Sequence, residues 1–269
     1  MITEQEFVAR GQVLSRQAKV LDTLHEYCVS HCHRLYGTCE RFGLLEKDLG
    51  EVLDIGPFYG YTPFLLRSNS SSYTVVEGDD AAAYPLKPLY EEHHIAVRFV
   101  DLCDLFGPAA SADHRLPFDD ESFHTLLCWE TMEHFCFKPV KFVPELSRVL
   151  KPAGCVYVTV PNRASLQNLA ALVSGRFELE NINSYYTYED YACNGKKAFY
   201  GFHWREYSAP ELRHLFARAG FSIRQCGTFV AFRGGPEVSL PRRVARGAGF
   251  VLTRLLHRYA THVFLVAEK

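Results

Sequence analysis

The spacing of apolar residues changes period twice along the chain. Phe7, Val8, Val13, Leu14, Val20, Leu21, Leu24 and Tyr27 recur at helical intervals, which predicts helices across residues 3–47. From Gly50 the apolar runs become short. Glu51-Val-Leu-Asp-Ile55 reads as a strand ending in a glycine-containing turn, and Thr62-Pro-Phe-Leu-Leu66 as the helix after it. Four more strands are predicted at 73–77, 95–100, 122–128 and 156–160, with helical stretches around 81–92 and 139–150. Pro210 to Ala219 predicts a helix with Pro near its start and Gly220 just past its end. Residues 221–232 and 262–266 supply the last two strands.

Strands that alternate with helices imply parallel pairing, hence an α/β fold with a doubly wound sheet. Residues 163–207 break the rhythm, being rich in Asn, Tyr and Phe without a clear period. They read as a cap inserted into a main domain at 49–269, with 1–48 as an N-terminal helical extension.

Length and composition narrow the class. A chain of 269 residues suits one such domain with a modest cap. The net charge of −2 provides no global field for nucleic acid, so no nucleic-acid partner is expected. The start carries no basic segment followed by an apolar one, and no apolar run reaches the ~18 residues of a membrane span. The expected location is cytoplasmic, where the nine scattered cysteines would be reduced thiols. Cys28, His31, Cys32, His33 and Cys39 cluster, but without a CxxC pair, and a helix placing Cys28 and Cys32 one turn apart explains them. No metal is expected there or elsewhere. The stretch 242–258 interleaves arginines with Phe250, Leu252, Leu255 and Leu256. It reads as a helix packed on its own sheet, with weak contact to a membrane surface as the alternative.

The segment richest in chemistry is Val52-Leu-Asp-Ile-Gly-Pro-Phe-Tyr-Gly60. A glycine turn after a strand lets backbone approach a ligand closely. Position 58 is Phe and position 61 is Tyr, so the GxGxxG spacing of nicotinamide-dependent oxidoreductases fails. Asp54 could accept from an ammonium group or pin the loop's amides. Glu77, ending the second strand, could take both hydroxyls of a ribose, with Gly78 beside it. Phosphate-binding features are not evident, which points to an adenosine without pyrophosphate.

These residues resemble the class I S-adenosyl-L-methionine-dependent methyltransferases, above all the type-11 and type-12 group. The likeness runs from about residue 50 to 162, and more loosely to 225. Val52-Leu-Asp-Ile-Gly56 is similar to the family's first motif, and Glu77 to its ribose acid. Leu116-Pro-Phe-Asp-Asp-Glu-Ser-Phe123, Trp129-Glu-Thr-Met-Glu-His134 and Glu145-Leu-Ser-Arg-Val-Leu-Lys-Pro-Ala-Gly154 follow in the family's order. The resemblance implies a Rossmann-like fold with a seven-stranded, mostly parallel sheet and S-adenosyl-L-methionine as cofactor. It places Asp54, Gly56, Pro57, Tyr59 and Gly60 at the methionyl end. It places Glu77 and Gly78 at the ribose, Asp101 and Leu102 at the adenine, and Trp129 near the sulfonium. Asp104 competes with Asp101, and Phe58 stands where the family has a glycine.

Methyl transfer to a hydroxyl usually needs a general base, a role that suits histidine. His134, just after the fourth strand, and His203, in Tyr200-Gly-Phe-His-Trp-Arg-Glu-Tyr207, are the candidates. Tyr185, Tyr186 and Arg205 are candidate acceptor contacts, although Arg205 could instead form an ion pair that fixes its loop. The acceptor expected is a glycan or other small molecule with a hydroxyl to methylate. Transfer to nitrogen or carbon, and a non-catalytic adenosyl-binding module, are the alternatives.

Overall fold

The computed structural model describes residues 2–17, 22–58, 61–78, 86–107, 114–176, 192–193, 196–197, 203–230 and 257–269. Seven strands form one sheet: β1 (Glu51–Ile55), β2 (Ser72–Glu77), β3 (Ile95–Phe99), β4 (Phe123–Trp129), β5 (Leu150–Pro161), β6 (Ser222–Phe229) and β7 (His262–Glu268). Their order is β3-β2-β1-β4-β5-β7-β6. β1 to β5 pair in parallel, while β7 runs antiparallel between β5 and β6. This is the expected seven-stranded, mostly parallel sheet. Successive crossovers leave β1 in opposite directions, so the chain order reverses between β1 and β4. In open α/β sheets that crevice, at the carboxyl ends of the strands, is where ligands bind.

Period-two alternation sends neighbouring residues into two cores, one on each face of the sheet. Leu53, Val76, Leu126 and Cys128 face α5 (Leu102–Phe106), α6 (Phe142–Val149) and α8 (Ala209–Arg218) through Phe106, Phe142, Leu146, Leu212 and Phe216. Val52, Val75, Leu127 and Trp129 face the opposite way. That side is covered by α1 (Glu4–Gln17), α2 (Asp22–Arg41), α3 (Thr62–Leu66) and α4 (Lys87–Glu92). On α2, Cys32, Leu35, Tyr36 and Cys39 share one buried stripe against Phe7 and Leu14 of α1. The N-terminal helices are thus part of the domain's core.

Three differences from expectation have local causes. Lys151-Pro-Ala-Gly154 does not end a helix cleanly before a strand: β5 already pairs at Leu150, and its register against β4 then jumps to Cys155. Asp101, just past β3, caps α5, a short helix the apolar pattern does not reveal. A helix, α7 (Leu166–Val173), begins inside the aperiodic segment, capped by the Ser165 side chain.

Cys39, Cys128, Cys155 and Cys226 form no disulfide among the described residues. Cys103 and Cys136 differ: they meet as a disulfide pair with Cα atoms 6.5 Å apart. The cysteine–histidine group on α2 is dispersed, with Cys32 and Cys39 in the core and His33 paired to Glu4 at 2.8 Å. The side chain of Cys28 lies outside the described residues. So do Tyr59, Gly60, Tyr185, Tyr186 and residues 242–256. Among the described residues no helix is long and apolar enough to cross a membrane.

Candidate active site

At the carboxyl end of β1 the chain turns at Gly56, whose φ is +65°. Its N–H donates to the Val76 carbonyl at 2.8 Å, extending the β1–β2 ladder by one residue. A Cβ at Gly56 would stand 2.6 Å from Thr131 Cγ2, so glycine is required by conformation and by space. Thr131 holds the turn from the other side, its Oγ1 lying 3.0 Å from the Ile55 carbonyl and 2.9 Å from that of Trp129.

The loop beyond Gly56 is tied to β2. Buried Glu77 accepts a hydrogen bond on Oε1 from the Phe58 N–H at 2.6 Å. Phe58 adopts φ +50° with its ring exposed, so it occupies the left-handed conformation that a glycine at this position would take freely. Pro57 and Gly78 lie half-buried beside these residues.

Asp54 is buried and accepts from the Tyr73 hydroxyl at 2.8 Å rather than from loop amides. Burial pushes its carboxyl up to about 7, against the lowering effect of the Tyr73 hydrogen bond. Asp101 Oδ1 accepts from the backbone N–H groups of Cys103 and Asp104 at 2.9 and 3.1 Å. Its first duty is therefore to cap α5, with Leu102 buried behind it and Asp104 exposed one turn on. Trp129 is buried against Phe42, ring centroids 6.1 Å apart, and its indole Nε1 finds no hydrogen-bond partner among the described residues.

A second polar group follows β4. Glu130, at φ +51°, pairs with Arg34 of α2 at 3.2 Å and with His262 of β7 at 3.0 Å. Burial would raise the Glu130 carboxyl, but His262 and Arg34 outweigh it and hold the group well below the carboxylate range. Glu133 is the reverse case: burial, together with repulsion from Glu130, raises its carboxyl well above the usual value.

The 3-10 turn Met132–His134 carries His134 towards His203, ring centroids 4.9 Å apart and edge to face. The chain around His203 is fixed by backbone pairing. Arg163 N–H donates to the Tyr207 carbonyl at 3.1 Å, and Arg205 N–H to the Glu133 carbonyl at 3.3 Å. The Arg205 side chain turns outward, pairing with Glu211 at 2.9 Å and lying over the Tyr207 ring. The loop-fixing ion pair thus exists, with Glu211 as its acid.

The two histidines flagged by sequence meet, and Glu77, Gly56, Asp54 and Trp129 gather at the switch point. Sequence reasoning missed Glu130, Glu133, Arg34 and His262. A signal was present for the first two, since two glutamates three residues apart directly after a strand end must both crowd its carboxyl edge. The acceptor set beside β1, β2 and β3 is carboxylate. It fits hydroxyls and amines of an adenosine with an ammonium-bearing chain, and would repel phosphate.

Residues 31–225 match the family model described as a methyltransferase domain. A probable S-adenosylmethionine-dependent methyltransferase of Mycobacterium tuberculosis is 26% identical over 66% of this chain and 52% of its own length. One from Mycolicibacterium smegmatis is 25% identical over 72% of this chain and 59% of its own. The chain thus spans about half the length of the curated relatives it matches. Among solved structures, one chain of the complex between the Haloferax volcanii Trm112 methyltransferase activator and its methyltransferase aligns with TM-score 0.59. That match has 15% identity and covers 100% of this chain and 98% of the other. An S-adenosylmethionine-dependent methyltransferase from Mesorhizobium loti aligns with TM-score 0.56 at 13% identity, over 87% of this chain and 100% of its own.

Proposed function

Since the chain belongs to the methyltransferase-domain family, the S-adenosyl-L-methionine-dependent class I enzymes, we propose that it methylates a hydroxyl oxygen, on a sugar or comparable polar metabolite. The observation that carries this reading is the His134–His203 pair, 4.9 Å apart beside the cofactor edge of the sheet.

S-adenosyl-L-methionine supplies an electrophilic methyl group on a sulfonium, and the protein contributes position and proton handling. Glu77 would accept from the ribose hydroxyls while its Oε1 keeps the Phe58 amide in place. Gly56 would let the turn after β1 come close to the methionyl chain. Asp54, whose carboxyl burial pushes up to about 7, would be the acid nearest the cofactor's ammonium group. Asp101 and Leu102 would border the adenine, and Trp129 would lie on the side of the reacting carbon. The imidazole pair receives the acceptor hydroxyl's proton as the new carbon–oxygen bond forms.

Methyl transfer from labelled cofactor to a panel of sugar, phenol and amine acceptors tests the reading. Hydroxyl acceptors should be methylated, and His134→Ala and His203→Ala should each lower kcat about a hundredfold while product binding persists. Amine acceptors methylated equally by all three proteins would replace it with nitrogen transfer. Cofactor binding without transfer to anything would leave a non-catalytic module.

A further inference from the structure

The group Glu133, His134 and His203 has a property that proton transfer alone does not use. One ligating atom from each residue lies within 4.8 Å of the other two. Glu133 is 1% exposed, and its Oε2 has no hydrogen-bond partner among the described residues. Leaving a buried carboxylate oxygen unmatched is costly, so such an atom points to a ligand that completes it. The surroundings orient the set as a cation site would require. Glu206 Oε1 lies 3.6 Å from His203 Nδ1, and Asn168 fixes Glu206 through a 2.8 Å bond to Oε2. A carboxylate behind an imidazole is the usual outer support of a metal-bound histidine. His134 Nε2 stands 4.0 Å from Glu133 Oε1.

We infer that Glu133, His134 and His203 form a binding site for one divalent first-row transition ion, of the Zn2+ or Mn2+ kind, at the acceptor end of the crevice. Two imidazoles and one carboxylate suit such ions better than Mg2+ or Ca2+, which prefer all-oxygen shells. Ligands about 2.1 Å from a tetrahedral ion sit ~3.4 Å from each other. The three side chains reach that spacing by closing about an ångström, a movement within rotation of the half-exposed imidazoles. Three protein ligands leave a position for the substrate, the pattern of catalytic rather than structural sites.

In its chemistry this inference rests on the hydroxyl-transfer reading, and in its binding it does not. With the ion present, the imidazoles act as ligands in place of accepting the proton, and the acceptor hydroxyl takes the remaining position. Its O–H bond breaks and the proton passes to solvent. The O–CH3 bond forms as the S–CH3 bond breaks, and the ion's oxidation state is unchanged.

The test is calorimetric titration of the chelator-stripped full chain with Zn2+ and with Mn2+. Glu133→Gln and His203→Ala are titrated alongside, and S-adenosylhomocysteine binding checks that each variant is folded. One saturable ion per chain, weakened at least about tenfold in both variants, is the expected result. His134→Asn replaces either variant that fails the folding check. No saturable binding below about 1 mM, or equal binding by wild type and folded variants, overturns the site. Cation binding with no methylation of any hydroxyl acceptor would leave the site standing and remove the hydroxyl-transfer reading.

Discussion

Glu77 Oε1 and the backbone N–H of Phe58 lie 2.6 Å apart, so the acid that ends β2 holds the turn that follows β1. Because the bond uses backbone, the side chain at 58 is dispensable to it. Phe58→Gly should preserve cofactor affinity within about threefold. It should raise stability slightly, because holding the left-handed region costs a non-glycine residue about 1 kcal/mol. Phe58→Pro, which deletes the N–H and forbids positive φ, should weaken cofactor binding at least about tenfold. Calorimetry on the two variants separates these outcomes.

Gly56 and Thr131 are packed against each other across the switch point. Gly56→Ala should destabilise the fold by about 2–4 kcal/mol and sharply reduce cofactor binding, since the new methyl meets Thr131 Cγ2 at 2.6 Å and φ is +65°. Adding Thr131→Ser removes that methyl and keeps the hydroxyl that reaches the Ile55 carbonyl. The double variant should recover part of the loss in urea denaturation. No recovery would place the whole effect in backbone strain.

Arg34 ties α2 to the end of β4 through Glu130, in a pair that is 9% and 14% exposed. Arg34→Leu should cost about 3 kcal/mol, because it strips the buried carboxylate of its guanidinium partner. Adding Glu130→Leu should restore a measurable part of that loss. Simple additivity in the double-mutant cycle would show that the pair is not coupled.

Asp54 predicts the direction of a pH effect on the cofactor-free protein. The folded carboxyl holds its proton up to about 7, and the unfolded one releases it near 3.8. Between those values the folded state binds more protons. This group's contribution is therefore fully present below about pH 4 and is lost as pH rises through about 7. The loss amounts to about 4 kcal/mol. Asp54→Asn should flatten that part of the stability profile, measured by urea denaturation from pH 4 to pH 8. A wild-type slope identical to the variant's would show that Asp54 titrates normally.

Strands β1 to β4, β6 and β7 are legible in sequence because each buries both faces or ends in a glycine, acid or aromatic that marks its edge. Thr62–Leu66 is legible for the same reason, having a proline in its first turn and five buried residues. α5 and the start of α7 are not. They are too short to show a period, and only the capping bonds of Asp101 and Ser165 define them. At the site, His134 and His203 are readable as residue types, but their meeting depends on the long-range pairing of Arg163 with Tyr207 and of Arg205 with Glu133. The hold of Arg34 and His262 on Glu130 joins α2, β4 and β7, a contact no local pattern encodes. For Asp54 the sequence suggests an ammonium group or loop amides as partners; its bond to Tyr73 exists only because β1 and β2 pair in register.

The most direct test of the central claim is calorimetric titration of the purified chain with S-adenosyl-L-methionine and S-adenosylhomocysteine, beside Glu77→Ala. Removing Glu77 deletes charged hydrogen bonds worth about 1.5–3 kcal/mol each and releases the Phe58 amide. The prediction is micromolar binding of both ligands by the wild type and a loss of at least about thirtyfold in the variant. Equal affinities in the two proteins, or no binding by the wild type, would contradict the assignment of the cofactor to this edge of the sheet.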